Sequence, residues 1–265
     1  MPHIYSLAYL TAPIAPPEAL VLAGKLGYQA IGARIAPAVP GGAFAPLATD
    51  PAMLRDTLRA ISDTGVKIFD VEIIRLGPQT NADAFAPFLE TAGRLKARAI
   101  LVAGDDPDEA RLTESFAKFC RAAAPYGLTA DLEFMPWTAV KNARAALRIV
   151  TAAGEPNGRV LVDALHAARS ATTLDDIAAL PVSYAQLCDA PAGIPATEEE
   201  LIHTARSARL LPGDGGIDLA GIVRALPDDL PLSLEIPNDE WLPKLGAEEW
   251  ARRALAAARR VVDGS

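Results

Sequence analysis

Short apolar runs alternate with longer amphipathic runs along the whole chain. Eight apolar runs stand out, at 3–9, 28–34, 66–74, 98–104, 128–134, 159–165, 183–189 and 231–237. Most are apolar at consecutive positions rather than at every second one, the pattern of strands buried on both faces of a parallel sheet. Seven intervals between the centres at residues 6 and 234 make about 33 residues each. One strand, one helix and two short loops need about 30. The intervening runs carry the helical period. Leu219, Ile222, Val223 and Leu226 fall at i, i+3, i+4 and i+7 behind Asp218, a fitting N-cap. Trp250, Ala254, Ala257 and Val261 make a similar stripe on the last helix. Gly27, Gly65 and Gly127 each sit just before a strand, where a helix C-terminal glycine belongs. Eight strand–helix units predict an α/β fold, a (β/α)8 barrel, as a single domain over residues 1–265. An open doubly wound sheet is the alternative, and no G-x-G-x-x-G follows an early strand to support it.

Composition narrows the class. A chain of 265 residues buries a full core without disulfides. Cys120 and Cys188 are far apart and form no metal spacing, so both are expected as reduced, buried thiols. No apolar run reaches the ~20 residues of a membrane span, and the N-terminus lacks the features of a secretory signal. The expectation is a cytoplasmic enzyme with a small-molecule substrate and no membrane partner; a homodimer is allowed but not required. The formal net charge of −8 argues against a nucleic-acid partner.

Catalytic groups of such a barrel lie at the C-terminal strand ends. In the second half, four successive strands end on polar residues that interrupt apolar runs. These are Glu133 in "ADLEF", Asp163 in "LVDAL", Gln186 in "YAQLCD" and Glu235 in "LSLEIP". Converging in a partly buried mouth, three carboxylates would force protonation of at least one unless a cation joined them. Three carboxylates and an amide carbonyl form a hard oxygen set suited to one Mn²⁺ or Mg²⁺, with Co²⁺ as a substitute; the imidazoles and thiolates usual for zinc are missing from it.

These residues carry a resemblance. The stretches "LEFMPWT" (132–138), "GRVLVDALHAARS" (158–170), "YAQLCDAP" (184–191), "RLLPGDGGIDL" (209–219) and "LSLEIPND" (232–239) resemble the sugar phosphate isomerase/epimerase superfamily, the xylose isomerase-like TIM barrels. The first half matches in its rhythm and in "FDVEII" (69–74). The resemblance implies that Glu133, Asp163, Gln186 and Glu235 bind one divalent metal. It also implies that Glu133 and Glu235 exchange a substrate proton through an enediolate. Glutamine at the third ligand position occurs in several branches and does not pick the substrate.

Around this set, His166 is either a substrate contact or proton relay, or a hydrogen-bonded structural histidine. Arg209 faces the substrate by resemblance, with an ordinary ion pair as the alternative. Glu72, taken to end strand three, either binds substrate hydroxyls or forms an ion pair in the barrel mouth. Trp137 and Met135 either wall the pocket or pack on the following helix. "PGDGG" (212–216) lacks the lysine of a phosphate loop and reads as a tight turn. His3 and His203 are expected on the surface or in loops. The Pro/Gly-rich segment 36–50 is long for such a loop and is a candidate lid.

Three functions follow for an enzyme. The first is a metal-dependent isomerase or epimerase of a small sugar or hydroxy-ketone. The second is a lyase of the dehydroshikimate or inosose dehydratase type, in which His166 protonates the leaving hydroxyl. The third is an endonuclease at abasic DNA sites, disfavoured because it needs a histidine-rich zinc cluster and this chain has three histidines. A barrel without enzymatic function would hold no metal at these strand ends.

Overall fold

A computed structural model describes residues 3–264, apart from the side chains of residues 82 and 83; residues 1, 2 and 265 of the expected 1–265 span lie outside the described residues. Eight strands occur within or close to the expected runs: β1 (Tyr5–Leu7), β2 (Ala30–Arg34), β3 (Lys67–Leu76), β4 (Ala99–Gly104), β5 (Thr129–Glu133), β6 (Gly158–Asp163), β7 (Val182–Leu187) and β8 (Leu232–Leu234). They pair in sequence order as a closed parallel barrel, with β8 returning to β1. The helices are α1 (Pro16–Leu26), α2 (Pro51–Thr64), α3 (Ala86–Arg94), α4 (Glu109–Ala123), α5 (Ala143–Ala153), α6 (Ala164–Arg169), α7 (Leu174–Ala178), α8 (Glu198–Ser207), α9 (Leu219–Ala225) and α10 (Trp241–Val262). The fold is a (β/α)8 barrel, with extra helices after β6 and β7.

The helix signals work through hydrogen bonds. Asp218 caps α9 by accepting from Gly221 N at 2.8 Å, and Asp50 caps α2 by accepting from Ala52 N and Met53 N. Gly27 ends α1 at φ 87°, a left-handed conformation that costs a residue with a Cβ atom more than glycine. The expected stripe of α10 buries Trp250, Ala254 and Ala257, and the Trp250 indole donates to Ile236 O at 2.9 Å.

Two apolar layers result. The outward faces of the strands pack on the helices as one large core, in which Phe116 and Phe119 are fully buried. Each such side chain stabilises the fold by about 1.5–3 kcal/mol. Inside the barrel a separate small cluster of Ala99, Leu101, Leu161 and Tyr184, backed by Phe69 and Ile73, forms a floor. Leu161 is the register partner of Glu133, and register partners face the same side of a sheet. Glu133 therefore points inward. Asp163, two residues past Leu161 on β6, points inward too, together with its partner Gln186. Glu133, Asp163 and Gln186 thus stand on the mouth side of this cluster, one inward-facing position further along their strands than Asp131, Leu161 and Tyr184.

One boundary differs from expectation. Glu72 does not end strand three: β3 runs on to Leu76. A register shift between Val71 and Ile74 lets β3 keep pairing with β4 beyond the polar interruption. Segment 36–50 leads into α2 and places Ala38 and Val39 in the wall of the central cavity.

Candidate active site

At the C-terminal mouth of the barrel lies a cavity of about 280 Å³. Glu72, Glu133, Trp137, His166, Arg209 and Glu235 line it. Asp163 and Gln186 lie just beneath, at 0% and 1% exposure. These eight residues, and Met135 in the cavity wall, therefore meet in one place.

Local structure fixes several of them. Asp163 is both the last residue of β6 and the N-cap of α6, its Oδ1 accepting from His166 N at 3.1 Å. One carboxylate thus starts the helix and sets the position of the histidine three residues on. The His166 ring packs edge-on against Trp137, with centroids 5.1 Å apart. Its Nε2 lies 3.6 Å from Glu133 Oε1. Arg209 is pinned by its backbone: its N–H donates to Pro237 O at 3.1 Å, and its carbonyl accepts from Asn238 Nδ2 at 2.9 Å.

All three nitrogens of the Arg209 guanidinium are engaged. Nη1 reaches Asp163 Oδ2 at 2.5 Å, Nη2 reaches Glu235 Oε2 at 2.9 Å, and Nε donates to Ala205 O at 2.8 Å. Gln186 Nε2 donates to Glu235 Oε1 at 3.2 Å. Asp163, Gln186 and Glu235 are thus tied together around one buried cation. Among the described residues Glu133 has no lysine or arginine partner; its ionic-range contact is His166.

The charges follow from this wiring. Burial, reinforced by Glu235 and Asp163, pushes Glu133 well above the usual carboxylate range. Burial also lifts Glu235 to about 7, against the opposing pull of Arg209. Burial would raise Asp163 as well, but Arg209 and His166 hold it below its ordinary value. Burial lowers His166 to about 4, so its imidazole is neutral near pH 7.

The donor set fits a divalent ion. Glu133, Asp163 and His166 each offer a ligand atom, and these atoms lie within 4.8 Å of one another. Gln186 Oε1, the amide oxygen expected to ligate, is buried without a hydrogen-bond partner, as are His166 Nδ1 and Glu72 Oε1. Buried polar atoms are nearly always satisfied, and a cation would also offset the burial and the Glu235 and Asp163 charges that raise Glu133. The group differs from the all-oxygen set read in the sequence. It includes the His166 imidazole, while Asp163 and Glu235 share Arg209. Spacing along the chain could not show that α6 turns His166 back toward Glu133.

The sequence reading also overlooked cavity residues. Arg34, Ile73, Arg75 and Arg206 also line it, whereas the sequence candidates, apart from Glu72, all lie in the second half of the chain. Arg34 is the last residue of β2, so the same rule applied to the first half points to it. Away from the cavity, "PGDGG" forms a turn around buried Asp189, which accepts from Gly213 N and Ile217 N. Both cysteines are buried and free, and His203 is exposed on α8.

Comparison with known proteins defines the class. A family model described as xylose isomerase-like TIM barrel matches residues 20–261, and the chain belongs to that family. No curated protein matches. Among solved structures, the chain is similar to the IOLI protein with a binding zinc atom, with TM-score 0.80 and 19% identity over 98% of each chain. It is similar to a xylose isomerase-like TIM barrel/4-hydroxyphenylpyruvate dioxygenase fusion protein, with TM-score 0.81 and 20% identity over 98% of this chain and 43% of that one. A D-psicose 3-epimerase with D-tagatose from Clostridium cellulolyticum H10 gives TM-score 0.74 and 14% identity over 97% and 99%. At these identities the structural likeness speaks for the fold. Among the described residues, no helix is long and apolar enough to cross a membrane.

Proposed function

We propose that this chain is a divalent-metal-dependent isomerase or epimerase of a small sugar or sugar-like hydroxy-ketone, working through an enediolate. The observation that carries the reading is the pair Glu133 and Glu235. Both are buried in one small cavity, on β5 and just past β8, beside the Glu133–Asp163–His166 ligand group. The residues that would hold the ion are Glu133, Asp163, Gln186 and Glu235, with His166 as a further donor. The ion expected is Mn²⁺, Mg²⁺ or Co²⁺; the imidazole adds zinc to the ions worth testing. The chemistry such an ion supplies when bound is polarisation of a carbonyl and its neighbouring hydroxyl.

The side chains do the rest. One glutamate takes the proton from the carbon beside the carbonyl, and the electron pair left behind forms the enediolate. The second glutamate, or the first again, returns a proton to the neighbouring carbon or to the opposite face. The raised proton affinity of Glu235, to about 7, suits this work, because a group near neutrality both takes and gives a proton, and Glu133 is shifted in the same direction. Trp137 and Ile73 wall the cavity and limit water around the enediolate. His166 is held neutral, which suits it to hydrogen-bond a substrate oxygen. A strong acid at a leaving hydroxyl would need the opposite shift, so isomerisation is favoured over elimination.

The test is an assay of metal-loaded protein over ketoses, inososes and dehydroshikimate, scored separately for isomer and for dehydrated product. Isomer or epimer formed only with metal supports the reading. A dehydrated product alone moves the chain to the lyases, and no turnover under any metal overturns the enzymatic reading.

A further inference from the structure

The cavity has two chemically different walls. Carboxylates dominate the β5, β6 and β8 side, while the β2–β3 side holds one, Glu72. On β2 and β3 the wall carries two guanidiniums, Arg34 and Arg75. In the closed strand order β2 stands four strands from β6, diametrically across the barrel.

Neither guanidinium is used up as Arg209 is. Arg34 lies over the Tyr9 ring at 4.8 Å and approaches Glu72 at a long 3.4 Å through Nη2 alone. Its Nε is buried without an acceptor. Arg75 meets Asp105 at 3.2 Å through Nε, and its Nη1 is buried without an acceptor. Asp105 is about one-third exposed, so solvent screens that pair. Two buried guanidinium N–H groups thus remain unsatisfied on the wall opposite Asp163. Guanidinium can only donate, and its planar fork matches carboxylate and phosphate oxygens. Arg206 adds a third positive charge on the cavity lining, on α8.

We propose that the β2–β3 wall is an oxyanion subsite, in which Arg34 and Arg75 receive a carboxylate or phosphate carried by the substrate away from its hydroxy-ketone. This rests on the hydroxy-ketone reading above and narrows it to acidic substrates. The anion anchors one end at the arginine wall while the reacting carbons lie against the carboxylates. A neutral ketose would leave both N–H groups to weaker hydroxyl acceptors.

Three probes test it on the full chain loaded with Mn²⁺ and freed of excess metal. 1-Hydroxypentan-2-one is neutral; 5-hydroxy-4-oxopentanoate has the same chain length and ends in a carboxylate; dihydroxyacetone phosphate supplies a phosphate. Calorimetry should show at least one anionic probe binding about 10- to 100-fold tighter than the neutral one, the scale of a charge-assisted contact. The tighter anion identifies the source. R34Q and R75Q should each remove most of this advantage, and R34K and R75K should keep part of it. If a glutamine variant fails to fold, the wild-type ratio and the lysine variants still decide. Equal affinities, no binding of either anion, or an advantage that survives in both glutamine variants overturns the subsite. The same titrations without metal separate the two ideas. Loss of neutral-probe binding without Mn²⁺ reports on the hydroxy-ketone reading, whereas the acid-to-neutral ratio reports on the arginines.

Discussion

Arg209 Nη1 stands 2.5 Å from Asp163 Oδ2, and both residues are buried, at 3% and 0% exposure. The same guanidinium reaches Glu235, so one cation holds together two carboxylates from β6 and the end of β8. Its role is first to neutralise the acidic wall. Removing one partner of a buried pair leaves an uncompensated charge. R209M should therefore cost the metal-free protein about 3–5 kcal/mol of stability, and saturating Mn²⁺ should restore part of it. Urea denaturation with and without metal measures both. A loss below about 1 kcal/mol would place Arg209 among the weakly coupled pairs.

E133Q and E235Q each keep the side-chain shape and an oxygen donor but remove the base. With metal occupancy checked in the same sample, turnover should fall by about 10²–10⁴. Reaction in D₂O should place deuterium on the carbon beside the carbonyl. If the two glutamates divide the proton steps, one variant still exchanges deuterium while making no product. Near-normal activity in both loaded variants would remove them from the mechanism.

Metal uptake should release protons. Burial raises Glu235 from its ordinary 4.5 to about 7, and raises Glu133 in the same direction. At pH 6 Glu235 is therefore largely protonated in the metal-free protein, and ligation requires its ionised form. Release should be largest near pH 6, and the Glu235 share should fade as pH rises through about 7. Calorimetry of Mn²⁺ binding in buffers of different ionisation enthalpy gives the proton count. A count of zero at pH 6 would mean that the carboxylates are ionised before metal arrives.

Trp137 shields His166, whose affinity for a proton is lowered by burial to about 4. W137A should open the ring to solvent and let its pKa rise toward the ordinary 6.5. Titration of the histidine resonances by NMR reads this directly. A value still near 4 would show that the remaining walls suffice to keep it dry.

Much of this was legible along the chain. The apolar runs gave all eight strands, because a parallel barrel buries both strand faces and so leaves continuous apolar stretches. The N-caps and helix-ending glycines are local chemistry and showed themselves locally, as at Asp218 and Gly27. Polar residues breaking apolar runs marked Glu133, Asp163, Gln186 and Glu235. An unpaired acid in such a strand is costly, so its presence is informative.

Tertiary structure alone decided how these residues are wired. That Arg209 spends its guanidinium on Asp163 and Glu235 depends on contacts across 46 and 26 residues of chain, which no spacing rule reaches. That His166 comes within 3.6 Å of Glu133 depends on the turn of α6, which starts from the Asp163 cap. Arg75 faces the cavity because β3 shifts register and runs past Glu72, a displacement set by its pairing with β4. Burial patterns are written residue by residue in a sequence, whereas partner choice among charges is settled by which strands and loops the closed barrel brings face to face.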